Sequence, residues 1–175
     1  MTTTTRVSLS EVLRQCKDAK GEIAELTRRA TGCVARIEGV AVDFDFDEVN
    51  AERKAKIGRL VYLNTILART NAATTVVWKG QSMIVAEVIR RKAELNGEIT
   101  FVAGLALRNG PTKVATGEYN ERHQPVTETV VWKSALTEPA RVKLLASLRA
   151  DASALDSLLQ TSNHGTLVDL EDPAT

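Results

Sequence analysis

The run Asp43-Phe44-Asp45-Phe46-Asp47-Glu48 gathers the chain's most suggestive set of oxygen ligands. Alternate carboxylates can share one side of a segment and hold a hard cation such as calcium. The pattern departs from a calcium loop, however. Glu48 stands where the turn needs glycine, and Lys54 stands where a closing bidentate glutamate belongs. Asp43, Asp45 and Asp47 are therefore a marginal cation site. The run reads better as an acidic start to a helix, whose N-terminal end favours negative charge.

Other reactive residue types are few and scattered. His123 and His164 are the two histidines, and neither falls in a zinc-ligand or acid–base motif. Gly110-Pro111-Thr112-Lys113 lacks the preceding glycine and the strand-to-helix setting of a phosphate loop. No nucleophile elbow is present. The sequence thus predicts no catalytic residues, no cofactor and no enzyme. Cys16 and Cys33 lie on one predicted helix, too far apart for a disulfide while that helix is intact. They read as reduced thiols, which points to the cytoplasm.

Bulk properties narrow the field further. The 23 Lys and Arg nearly balance the 22 Asp and Glu, and no block of like charge occurs, so no nucleic-acid partner is expected. Nothing near Met1 resembles the apolar core of an export signal. The run Ile99 to Leu107 is about half the ~20 residues needed to span a bilayer as a helix. With 175 residues and 43% hydrophobic side chains, a single domain over residues 1–175 is expected. Aromatics make up only 4%, which suits packed helices better than a β-sandwich or barrel.

The elements follow from periodicity. Ser8-Leu9-Ser10-Glu11 fits a capping box, and the apolar positions Leu9, Leu13, Cys16, Ala19, Ile23, Leu26, Ala30, Val34 and Ile37 advance by threes and fours. A second helix is predicted from about Asp47 to Asn71, with Asn64 and Asn71 as polar residues on the seam Ile57, Leu60, Asn64, Leu67, Asn71. Thr74 to Gly80 and Thr127 to Lys133 share the core Val-Val-Trp-Lys and are predicted to be two short strands of one small sheet, within the chain or across subunits. A third helix is predicted over about 82–107 and a fourth from Thr137-Glu138-Pro139 to Asn163-His164-Gly165. Residues 108–128, with Asn109-Gly110-Pro111, Gly117 and Pro125, read as an exposed loop or arm, and a polar tail is expected from about 166. The expected fold is mainly α: long antiparallel helices in a hairpin or coiled-coil-like bundle with a small β element.

The stretch from Leu60-Val61 through Leu67-Ala68-Arg69-Thr70-Asn71-Ala72-Ala73-Thr74 resembles the septicolysin-like family of small helical bacterial and phage-borne proteins. The likeness continues through the third helix, Val130-Val131-Trp132 and the final Leu159-Gln160-Thr161-Ser162-Asn163. Family members carry asparagine where Ala68 stands and tryptophan where His164 stands. The resemblance implies a helical hairpin bundle and a homo-oligomer such as a hexamer, with no established activity. Asn64, Leu67, Arg69, Thr70, Asn71, Thr74, Trp78, Trp132 and Asn163 are the candidate structural or interface positions. The expected function is a non-enzymatic, self-associating structural protein. The alternatives are an accessory subunit of a larger particle such as a phage virion, assembled in the cytoplasm, and a membrane-active cytolysin-like protein.

Overall fold

A computed structural model describes residues 4–35 and 44–171 of the chain. Its elements in order are β1 (Thr4–Ser8), α1 (Leu9–Cys33), α2 (Phe46–Ala73), β2 (Thr75–Trp78), β3 (Gln81–Ile84), α3 (Val85–Gly104), β4 (Gly110–Tyr119), β5 (Pro125–Trp132), α4 (Glu138–Gly165) and β6 (Leu167–Glu171). Contacts divide them into two units, Met1–Arg91 with Leu155–Thr175, and Lys92–Ala154. The chain enters the second unit within α3 and leaves it within α4.

In the first unit, Ser8 adopts an extended conformation and its Oγ accepts from the Glu11 amide at 3.3 Å, starting α1. Only half of the capping box forms, because the Glu11 carboxylate turns forward to Arg14 at 2.6 and 2.8 Å. Asp45 caps α2 by accepting from the Asp47 and Glu48 amides at 2.9 and 3.2 Å. The two helices pack antiparallel. Gln15 meets Arg59, Glu22 meets Lys56 and Thr27 meets Arg53, so partner numbers fall along α2 as they rise along α1. Between them Val12, Cys16, Leu63 and Leu170 form a buried cluster, with Leu60, Ile66, Leu67 and Val168 packed against it. A second cluster joins Leu26, Ala30 and Val49.

The strand β6 belongs to this core. It pairs antiparallel with β1, from Thr4 opposite Glu171 to Ser8 opposite Leu167, and buries Leu170. Side chains of α2 fix the far end of the ladder. Tyr62 Oη accepts from the Glu171 amide at 2.9 Å, and Arg59 donates to the Glu171 carbonyl at 2.7 Å. The Arg59 guanidinium also lies 5.1 Å from the Tyr62 ring centre.

The hairpin β2–β3 turns on Lys79 and Gly80, both at positive φ (49° and 80°), as the tight two-residue turn demands. Lys79 lacks the freedom of glycine in that region, and its ammonium lies 4.7 Å from the Trp78 ring centre. Arg91 of α3 also approaches that indole at 4.7 Å.

Several sequence expectations are corrected. Of the described residues, 63% are helical and 22% lie in strands, an α/β mixture rather than a long-helix bundle with two short strands. The six strands form three separate antiparallel pairs, β1–β6, β2–β3 and β4–β5. The two Val-Val-Trp segments do not share a sheet in the chain; each pairs with the strand next to it in sequence. Residues 108–128 contain β4 and the first part of β5, and the region from 166 contains β6. Gln81–Ile84 forms a strand before α3, where helical periodicity suggested the helix itself.

Candidate interaction surface

The second unit is ordered mostly by polar contacts to the backbone. At the base of the β4–β5 hairpin, Ser134 Oγ accepts from the Arg108 amide at 2.7 Å and donates to the Arg108 carbonyl at 2.9 Å. The Ser134 amide donates to Asn109 Oδ1 at 3.0 Å, and the Arg108 guanidinium lies over Trp132 at 5.1 Å. Arg141 donates to the Leu105 carbonyl at 2.9 Å and to Glu138 at 2.7 Å, linking the chain after α3 to the start of α4. At the tip, Asn120 Oδ1 accepts from the Arg122 and Gln124 amides at 2.9 and 3.0 Å. His123 sits there at φ 56°, in the left-handed region a turn uses.

Little apolar surface is withdrawn from water in this unit. Among the described residues between Lys92 and Ala154, only Val102 is buried. Phe101 is 67% exposed, Tyr119 70%, Val131 77% and Val142 56%. A two-stranded hairpin is at best marginally stable alone in water. Its two sides differ in composition. Val114, Val130 and Trp132 share one face with Thr112 and Glu128, whereas Lys113, Thr127, Thr129 and Val131 share the other.

The candidate positions from the sequence distribute unevenly. Asn64 Oδ1 accepts from the Cys16 thiol at 3.8 Å, and Leu67 packs on the Val12 cluster. The Thr70 carbonyl accepts from the Thr74 amide at 2.8 Å to close α2, and the Thr74 carbonyl accepts from Val85 at 2.9 Å. Asn71 is half-buried, and its Oδ1 has no partner among the described residues. Arg69 is exposed, Asn163 is half-buried in α4, and Trp78 is buried beside Arg91. These eight belong to the first unit; Trp132 alone falls in the second, 41% exposed. Phe101, Tyr119 and Val142 are not among the candidate positions, and Val131 enters only as part of the Val130-Val131-Trp132 strand. The predicted strand Thr127 to Lys133 covers most of β5; the cue for β4 is the β-branched run Thr112 to Thr116, whose flanking Gly110-Pro111 and Gly117 read as loop punctuation.

Asp45 and Asp47 sit in the first turn and cap of α2, and Asp43 lies outside the described residues. No group of three or more His, Cys, Asp or Glu able to hold a metal occurs among the described residues. Nor is any helix among them long and apolar enough to cross a membrane. Cys16 and Cys33 are free thiols, and burial pushes the Cys16 thiol pKa up.

Neither a family model nor a curated relative matches the sequence. The structure is similar to the crystal structure of a functionally unknown conserved protein from Corynebacterium diphtheriae. The TM-score is 0.73 at 20% identity, over 94% of this chain and 99% of that one. At that identity the likeness establishes a shared fold alone.

Proposed function

We propose that the chain acts by associating with copies of itself rather than by catalysis, and that residues 92–154 supply the contact surface. One observation carries the reading: this unit buries Val102 alone while Phe101, Val131 and Val142 stand more than half exposed. Apolar side chains grouped on a unit with so little interior gain from cover by another surface. The likeness of Leu60 to Thr74 to the septicolysin-like family, which implies a homo-oligomer, favours the same reading. Its setting is the cytoplasm, since free thiols at Cys16 and Cys33 suit a reducing compartment.

Light scattering after size exclusion, across a micromolar concentration series, tests the proposal. The expected mass is a multiple of the 19.0 kDa chain, rising with concentration. A 19.0 kDa species throughout the series would overturn it.

A further inference from the structure

We propose that the outer edge of β5 pairs antiparallel with β5 of a second copy, with Thr129 opposite Thr129, to make a four-stranded sheet across the two chains. The proposal rests on the self-association reading and names its contact.

The direction of the backbone groups comes first. Thr116 Oγ1, on β4, donates to the Val126 carbonyl at 3.1 Å, so the polar groups of Val126 face β4. Consecutive residues of an antiparallel strand alternate between its two neighbours. Thr127, Thr129 and Val131 therefore turn their amides and carbonyls away from β4. Pro111 supports the same parity. It stands opposite Val131, where the ladder itself needs no amide hydrogen, and proline has none.

The two edges of the hairpin are unequal. On the outer side of β4, Pro111 offers no donor. Further along, the register shifts between Ala115 and Tyr119, with Gly117 at φ 85°. Proline and bulges are features that blunt a strand edge against pairing. After Pro125, by contrast, β5 runs from Val126 to Trp132 without proline or glycine, and β4 is its one strand partner among the described residues. Thr127, Thr129 and Val131 are all exposed.

The edge is complementary to itself. Centred on Thr129, an antiparallel pairing sets Thr127 across from Val131, so every outward-facing group meets an outward-facing group. Val126 then meets Trp132 and Glu128 meets Val130, which uses the whole strand beyond Pro125. Centring on Glu128 would set two carboxylates directly opposite, which is unfavourable. Centring on Val130 would carry the ladder past the end of β5 at Trp132. Charge does not oppose the encounter. Along 110–132, Lys113 and Arg122 nearly offset Glu118, Glu121 and Glu128.

Thr129→Pro removes an outward amide hydrogen and leaves the inward β4–β5 ladder in place. The expected result is a rise of about tenfold or more in the concentration needed for half-association, with an unchanged circular dichroism spectrum. Thr129→Cys, in a Cys33→Ser background, gives a second readout. Paired residues at this kind of site lie about 5.5 Å apart between Cα atoms, within disulfide range. Oxidation should link two Thr129→Cys chains covalently, and Lys113→Cys on the β4 edge should not link. If the native chain self-associates but Thr129→Pro behaves like it and Thr129→Cys fails to link, edge pairing is overturned and another surface of the chain makes the contact. Linking without an effect of Thr129→Pro, or an effect without linking, overturns the symmetric register. A native chain that stays monomeric overturns both this proposal and the reading beneath it. Should Thr129→Pro misfold, the cysteine result decides alone.

Discussion

Both units tie chain segments together with side chains that grip the backbone, yet they differ in what lies underneath. In the first, Arg59 and Tyr62 hold Glu171 above a core in which Leu9, Val12, Leu63 and Leu155 are almost wholly withdrawn from solvent. In the second, Ser134 and Arg141 hold the ends of the hairpin and helices, with Val102 as the single buried residue. Hydrogen bonds to the backbone fix geometry but contribute modest net free energy, about 1 kcal/mol each, because water competes for the same groups. Apolar burial supplies most of the driving force. The contrast teaches that the first unit can hold itself, whereas the second stands to gain most from a partner.

The sharpest way to break that contrast is to remove one apolar side chain from each unit. Leu63 is fully buried between α1 and α2, so Leu63→Ala should cost about 2–5 kcal/mol by losing transfer energy and leaving a cavity. Phe101 is 67% exposed, and Phe101→Ala should change the stability of the isolated chain by less than about 0.5 kcal/mol. Its effect should fall on association instead. Urea titration at a dilution where the chain is monomeric measures both. A large loss at Phe101 under that condition would mean that the second unit has an interior of its own, and the contrast would fail.

An intermediate effect is expected at Arg59. Its guanidinium donates to the Glu171 carbonyl at 2.7 Å, contacts Gln15 at 3.4 Å and stacks beside Tyr62. The side chain is only half-buried, so water partly replaces these contacts, and Arg59→Ala should cost about 1–2 kcal/mol. Amide hydrogen exchange locates the loss. Residues of β1 and β6 should exchange faster in the variant, whereas β4 and β5 should be unchanged. Uniform acceleration through both units would show that the two open together, contrary to their separate construction.

Helices were legible in the sequence because their signals are local. Ser8 three residues before Glu11 marked the start of α1, and Asn163-His164-Gly165 marked the end of α4. Leu60 and Leu67 of the predicted seam pack on the cluster between α1 and α2, whereas Asn64 between them is exposed, with its Oδ1 3.8 Å from the Cys16 thiol. Strands were less legible, since their stability lies in a partner that the sequence does not point to. Leu167 to Glu171 is five residues long, and its partner lies at the other end of the chain, at Thr4 to Ser8. The hairpin β4–β5 was half legible: Thr127 to Lys133 reads as a strand and matches most of β5, whereas β4 concealed itself differently. Most of its residues are exposed on both faces, so the alternation that marks a half-buried strand never develops. Its turn residues looked like a long loop for the same reason. The proposed interaction surface shared that fate, because exposed Val131 and Phe101 look like core residues until burial is known.

The smallest expected effect concerns pH. Hydrogen bonds from Arg14, then from Gln15, hold the Glu11 carboxyl at about 2 against an ordinary value of 4.5. Arg28 and then Arg29 do the same for Glu25, again to about 2. A carboxylate with a lowered folded pKa binds fewer protons in the folded chain than in the unfolded one. Its contribution is therefore complete above pH 4.5 and is lost as the pH falls toward 2. Both groups lie on the exposed side of α1 and pair with residues three or four positions away, so solvent and salt screen them. Urea midpoints of the native chain and of Glu11→Gln/Glu25→Gln should differ near neutrality and converge between pH 4.5 and 2. Because these pairs are local to one helix, the convergence should accompany loss of α1 signal without altering exchange in β4 and β5. A constant difference down to pH 2 would mean that the two carboxylates act through packing of α1, and that charge has no part in stabilising the first unit there.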